Sequence, residues 1–255
     1  MIRIALVHGA WHRASCWDAV ARELAAAGHD VVTPELPSDR PGLGAEAYAG
    51  AVIAALGPLA GGTRVVLVGH SLGGLTVPVV AQRLGAAAVH ALVLVAALVP
   101  RPGMSLEDQV RAEPAILAPG VRRGQQRHPD GTTSWPPEAA VAGLYRGVAE
   151  ELTARAAAGR IVLDEPATRV VERAVAQLRP QAWDIGREIT PLVEWPDVRT
   201  VAVVCSVDRV VGPVPARRRA AELGSDVVEL PGGHFPMLVR PRELASVLMR
   251  VASAR

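Results

Sequence analysis

At 255 residues and 50% apolar side chains, the chain is sized for one α/β domain with a substantial core, and two separate cores are not expected. All 27 basic residues are arginine against 25 acidic residues, a net charge of +2, and lysine and asparagine are both absent; this is the bias of GC-rich coding, not by itself a nucleic-acid footprint. Two cysteines, Cys16 and Cys205, suit a reducing compartment, no charged leader precedes Ile2, and the longest apolar run, Ala91 to Pro100, is too short to span a bilayer, so a cytoplasmic protein with neither membrane nor nucleic-acid partner is expected.

Short β-branched runs alternate with alanine-rich amphipathic segments at both ends of the chain, which predicts βα repeats and a parallel sheet. The first strand is expected over 2–8, then a helix near 17–27, a strand over 30–33 and a helix near 46–59. A strand over 64–69 leads into Gly69-His70-Ser71-Leu72-Gly73-Gly74 and a helix over 72–84, in which Pro78 is awkward outside the first turns. A fourth strand follows over 90–96. Between about 100 and 196 the alternation stops. There His128-Pro129-Asp130-Gly131-Thr132 reads as a hairpin turn, Pro136-Pro137-Glu138 opens a helix through about Tyr145, and another helix is expected from Ala167 to Leu178. The alternation resumes with a strand over 199–205, a helix near 215–223, a strand over 226–230 and a helix near 241–252. The architecture expected is a six-stranded, mostly parallel sheet with helices on both faces. Residues 1–100 and 197–255 form the core, and residues 101–196 a cap inserted between the fourth and fifth strands, over the strands' carboxyl ends, in one structural domain.

The segment Gly69-His70-Ser71-Leu72-Gly73 after Val65-Val66-Leu67-Val68 has the form of a nucleophile elbow: strand, sharp turn with serine at the tip, helix. A serine hydroxyl needs a base to take its proton, and the elbow sets the order serine, carboxylate, histidine. Two histidines lie well downstream. His128 falls in the expected hairpin, whereas His234 stands in Pro231-Gly232-Gly233-His234, directly after the last strand, and is the base of choice. For the carboxylate, Asp208 lies one short turn past the strand ending at Cys205. Asp197 lies at the wrong end of that strand, Asp184 and Glu188 belong to the cap, and Asp226 opens the last strand. The oxyanion hole is expected from the amides of Leu72, after the nucleophile, and Ala10, in the loop His8-Gly9-Ala10-Trp11 after the first strand. Metal binding by His8 and His12 is a rival reading, but their spacing suits a helix and the segment reads as a turn, so no metal and no cofactor are expected. The arginine clusters Arg217-Arg218-Arg219 and Arg122-Arg123 with Arg127 read as solvated faces.

Val7-His8-Gly9-Ala10-Trp11-His12, Trp17, Gly28-His29, the elbow, Val204-Cys205-Ser206-Val207-Asp208-Arg209 and Gly233-His234-Phe235-Pro236-Met237-Leu238 resemble the α/β-hydrolase family of plant methyl esterases and hydroxynitrile lyases, with its bacterial relatives. The resemblance spans nearly the whole chain and is weakest in the cap, where Leu178-Arg179-Pro180-Gln181 is similar to the bacterial branch. It implies the α/β-hydrolase fold, no cofactor and often a homodimer. Lyases of that family carry threonine where this chain has Gly9 and lysine where it has Phe235, so the resemblance favours the esterase. Arg13 and Ser15 depart from its usual small and aromatic residues.

The resulting expectation is a serine hydrolase that cleaves a small, largely apolar carboxylic ester. Ser71 acts as nucleophile, His234 as base and Asp208 as its orienting carboxylate, with Gly9, Trp11, His70, Trp135, Tyr145, Trp183, Phe235 and Met237 as the substrate-facing set, although packing of cap on core accounts equally well for Trp11, Trp135, Tyr145 and Trp183. Two other outcomes fit the same residues: a biosynthetic thioesterase, cyclase or lyase acting on a bulkier intermediate, and a ligand-binding module with a retained triad.

Overall fold

A computed structural model describes residues 1–254. The chain runs through β1 (Ile2–Val7), α1 (Asp18–Ala26), β2 (Asp30–Val32), α2 (Ala45–Leu56), β3 (Arg64–His70), α3 (Val77–Leu84) and β4 (Val89–Val95). An insert follows, with α4 (Leu106–Ala112), the hairpin β5 (Gln126–Arg127) and β6 (Thr132–Ser134), and α5 (Pro137–Ala139), which continues as one π-helical turn over Ala140–Leu144. It goes on through α6 (Val148–Ala157), α7 (Ala167–Ala176), β7 (Gln181–Ala182) and α8 (Asp184–Arg187). The core then resumes with β8 (Thr200–Cys205), α9 (Pro213–Glu222), β9 (Asp226–Leu230), α10 (Pro236–Val239) and α11 (Pro241–Ser253).

The six core strands form one sheet in the order β2-β1-β3-β4-β8-β9, and every neighbouring pair is parallel rather than mostly so. The central strands are covered on both faces, and their sequences say why. Ile4–Val7, Val65–Val68 and Ala91–Val95 are continuous apolar runs, all buried, as strands of an all-parallel sheet must be. The sheet winds from β1 outward to β2 and from β3 the other way to β4, so right-handed crossovers place α1 and α3 on opposite faces. α1 packs on α11, and α2 on α3. The winding reverses between β1 and β3, and at such a switch point the loops leaving the carboxyl ends of two adjacent strands diverge and open a crevice. Val7 pairs with Gly69 there, so the loop after β1 and the turn after β3 leave the sheet side by side.

The helix expected over 72–84 is split. A tight 3-10 turn, Ser71–Leu75, precedes α3, and Pro78 falls in the first turn of α3, where its missing N–H has no intrahelical acceptor to lose. The Asp-Gly hairpin forms as expected, with Gly131 at φ +84° and His128 N–H donating to the Thr132 carbonyl. β7 joins this hairpin as a third antiparallel strand. The insert also contains helices that the sequence reading passed over, α4 and α6 foremost. Among the described residues no helix is long and apolar enough to cross a membrane.

Candidate active site

At the end of β3 the backbone of Ser71 sits at φ +51°, a left-handed conformation that an L-residue adopts only when its surroundings impose it. The imposing contacts are backbone ones. A Cβ on Gly69 would stand 2.7 Å from the Gly73 carbonyl oxygen, and one on Gly73 would stand 2.8 Å from the carbonyl oxygens of Val7 and His8. Only glycine allows the turn to close this tightly against β1. The Ser71 carbonyl accepts the Leu98 N–H at 2.9 Å, which ties the elbow to the chain leaving β4. Gly9 backs the serine directly: a Cβ there would lie 2.8 Å from Ser71 Cβ.

His234 stands in the loop between β9 and α10, and Asp208 in the turn after β8. Both side chains are buried, and His234 Nδ1 donates to Asp208 Oδ2 at 2.8 Å. The other oxygen, Oδ1, accepts the Val210 and Val211 N–H groups at 2.7 and 3.0 Å, so the carboxylate is fixed from both sides. This hydrogen bond places the proton on Nδ1 and leaves Nε2 with a lone pair, the form a general base needs. No hydrogen bond joins Nε2 to Ser71 Oγ here, a contact that in such sites tightens in the substrate complex. The histidine loop has two further anchors. His70 Nε2 donates to the His234 carbonyl at 2.9 Å, and Gly233 N–H donates to Glu151 Oε2 at 3.2 Å. Glu151 belongs to α6 of the insert and also accepts from Arg240 Nε at 3.0 Å.

The loop after β1 is held in a fixed shape by buried polar groups. His8 donates from Nδ1 to the Gly9 carbonyl at 2.9 Å and accepts the Leu36 N–H on Nε2 at 3.2 Å; its burial, above all, pushes its pKa down to about 3. Trp11 is at φ +61°. Its N–H donates to Gln181 Oε1 at 3.4 Å, and its carbonyl accepts the Arg179 N–H at 2.9 Å. The buried Arg179 side chain also donates to the carbonyls of His12 and Leu36, at 3.1 and 2.6 Å, and pairs with Glu35. His12 donates from Nδ1 to the Ala10 carbonyl at 2.7 Å and accepts the Tyr145 hydroxyl on Nε2 at 2.8 Å. Burial again dominates and lowers its pKa to about 4. All four ring nitrogens of His8 and His12 are thus engaged by protein partners, which leaves neither ring free to ligate a metal. Leu72 is the second residue of its turn, where a helical N–H has no intrahelical acceptor.

A narrow hollow opens on Ser71, Leu72 and Ala10. Trp11 and Trp183 form part of its wall, and both indole N–H groups donate to Thr133 Oγ1, at 3.0 and 2.7 Å, which locks the two rings. The rest of the expected substrate-facing set lies elsewhere. Gly9 is pressed behind Ser71, and His70 is buried under the His234 loop. Trp135 packs edge-on behind Trp11, with ring centroids 5.7 Å apart. Tyr145 stacks on Phe235 at 4.4 Å and bonds His12, and Tyr145 and Met237 line a separate hollow with His12. None of these six residues lines the hollow. The sequence reading missed Leu98, Leu106, Leu117, Val121, Val210 and Val211, the apolar wall, together with Arg122 and Gln125.

The sequence model of the alpha/beta hydrolase family matches residues 4–247. "Probable esterase PIR7A" of Oryza sativa is 28% identical over 266 residues, 97% of this chain and 95% of its own length. Methyl jasmonate esterase 1 of Vitis vinifera is 27% identical over 275 residues, covering 98% and 96%. A solved structure of the pyrethroid hydrolase PytH, 25% identical, superposes with a TM-score of 0.75 over 100% of this chain and 99% of that one. The strand order, the serine turn after β3 and the full-length match agree: the chain belongs to the alpha/beta hydrolase family.

Proposed function

We propose that the protein hydrolyses a small, largely apolar carboxylic ester through an acyl-enzyme on Ser71. The coarser statement, a carboxylic ester hydrolase, rests on the family and on relatives named as esterases that span nearly the whole chain. The finer reading rests on one observation, a serine held at φ +51° where the chain leaves β3, opening on an apolar hollow.

In this reading His234 Nε2 takes the Ser71 proton as Oγ attacks the ester carbonyl, and Asp208 stabilises the imidazolium through Nδ1. The amides of Ala10 and Leu72 receive the oxyanion, each donor contributing roughly a hundred- to a thousandfold in rate. The intermediate collapses, the C–O bond to the alcohol breaks, and the imidazolium returns its proton to the departing oxygen. Water, deprotonated by the same imidazole, then releases the acid and restores the serine. The fixed Ala10 and Trp11 backbone supports this role, since preorganised donors need no reorganisation as charge develops.

Position 9 favours hydrolysis over lyase chemistry. A Cβ there already crowds Ser71 Cβ at 2.8 Å, which leaves no room for threonine, and Phe235 occupies the position after the histidine. Turnover of a panel of methyl and short alkyl esters by the natural chain, compared with Ser71→Ala and His234→Ala, tests the proposal. Hydrolysis lost in both variants supports it, and hydrolysis that survives Ser71→Ala overturns it.

A further inference from the structure

Among the side chains that line the hollow on Ser71, one is charged, Arg122, and no acidic group is present to neutralise it. Beyond Ser71 and Arg122, the one other side chain with a hydrogen-bonding amide or hydroxyl group is that of Gln125. Arg122 is exposed and so marks the outer end of the hollow, with Ser71 buried at the inner end. Its guanidinium carbon lies over the Trp183 ring, 5.3 Å from the centroid, and that ring is fixed in turn through its N–H on Thr133. Among the described residues the Arg122 side chain forms no ion pair, whereas the buried Arg155 and Arg179 each pair with a carboxylate. A guanidinium over an indole face keeps its in-plane N–H groups available for a planar oxyanion. Gln125 Nε2 is shielded from solvent and has no acceptor in the protein. A buried donor without an acceptor is a costly arrangement that calls for an explanation, and a ligand oxygen supplies one.

We infer that the ester this site takes carries a carboxylate remote from the scissile bond, received by Arg122 and Gln125 at the outer end of the hollow, while its apolar middle lies along Leu106, Leu117, Val121 and Trp183. The inference rests on Ser71 being the nucleophile at the inner end. It reverses the solvated-face reading of Arg122 and leaves that reading intact for Arg123 and Arg127, which do not line the hollow. A guanidinium with no carboxylate partner beside a buried amide N–H with no acceptor favours an anion; a neutral alkyl chain of the same length would leave Gln125 Nε2 unpaired.

The test is kcat/KM for monomethyl esters of straight-chain diacids of six to eight carbons, each paired with the methyl alkanoate of equal length. The expected result is a preference of about tenfold or more for the acid-bearing ester at one of these lengths. Arg122→Gln should lower that ratio by about tenfold, Gln125→Leu by a smaller factor, and Arg123→Gln should leave it within about twofold. Raising the ionic strength should shrink the preference in the natural chain, since an exposed charge pair is screened. Alkanoates preferred at every length, or a ratio unmoved by Arg122→Gln, overturns the inference. Labelling of Ser71 by a fluorophosphonate in the same samples separates the two layers: a labelled serine without acid preference sinks only the carboxylate, and an unlabelled serine with no turnover sinks the ester reading beneath it.

Discussion

The approach of Gly9 to Ser71 is a sensitive point of the site. In Gly9→Ala the new Cβ would meet Ser71 Cβ at 2.8 Å, His70 Nδ1 at 3.1 Å and the His70 carbonyl oxygen at 3.2 Å. Carbon atoms rest at about 3.5 Å or more, so the serine or the β1 loop must retreat by roughly 0.7 Å. Neither can do so freely, because the loop is held by His8, Arg179 and Gln181 and the serine turn by Gly69, Gly73 and Leu98. Displacements near 1 Å cost reacting groups about a hundredfold, so kcat/KM should fall by about ten- to a hundredfold. Overpacking of this kind costs about 1–3 kcal/mol, which for a chain of this size lowers Tm by about 2–12 °C. Steady-state kinetics, the rate of fluorophosphonate labelling and thermal unfolding read the three effects. Gly28→Ala is the control: it imposes strain at φ +85°, with no neighbour within 4 Å of the new Cβ, so it should lower Tm and leave kcat/KM alone. A Gly9→Ala variant with natural Tm and activity would refute the packing of the β1 loop against the serine turn.

Asp208→Asn should reduce kcat by roughly a thousand- to ten-thousandfold, with KM little changed, because the amide removes the acceptor that keeps the proton on His234 Nδ1; a loss under about tenfold in steady-state assays would contradict the pairing. Gln181→Ala should free the Trp11 N–H and the Tyr48 hydroxyl together, costing about 1–3 kcal/mol in denaturant unfolding and lowering kcat more than it raises KM. Stability should fall in mild acid. His8, His12 and His70 are held neutral by burial, with His8 at about 3 and His12 at about 4, so the unfolded chain binds more protons below its ordinary value near 6.5. Their contribution is whole above pH 6.5 and drains away as pH falls toward 4; His8 and His12 alone remove about 4 kcal/mol by pH 5, or about 8–16 °C in Tm. A Tm that stays flat from pH 7.5 to 5 would show these rings to be solvated.

What the sequence disclosed is what lies close together along it. The apolar runs Val65-Val66-Leu67-Val68 and Val201-Ala202-Val203-Val204, the glycines around Ser71 and the turn after Cys205 each state their structure within a few residues, and they place Ser71 and Asp208 at the strand ends where the fold brings them. His234 was legible for the same reason, as the histidine directly after the last strand. The groups that fix these residues were not legible. Gln181 reaches Trp11 across 170 positions, Arg179 reaches Leu36 across 143, and Glu151 reaches Gly233 across 82, and a polar side chain in an irregular segment has no periodicity to betray such a partner. Trp135 and Tyr145 stand out in the sequence as large rings of the cap, but composition does not say what a ring packs against. One missed element did carry a local signal. Ser105, three residues before Asp108, caps α4, and its hydroxyl accepts the Asp108 N–H at 3.0 Å. α6, rich in alanine and charge, declared itself only through the packing of Leu152 and the buried Arg155.

The central claim is that Ser71 is an assembled nucleophile, and intact mass spectrometry after treatment with a serine-directed fluorophosphonate measures it most directly. The natural chain should gain one adduct that maps to the peptide containing Ser71, Ser71→Ala should gain none, and His234→Ala should be labelled far more slowly. A natural chain that stays unmodified, or an adduct that persists in Ser71→Ala, would contradict the account.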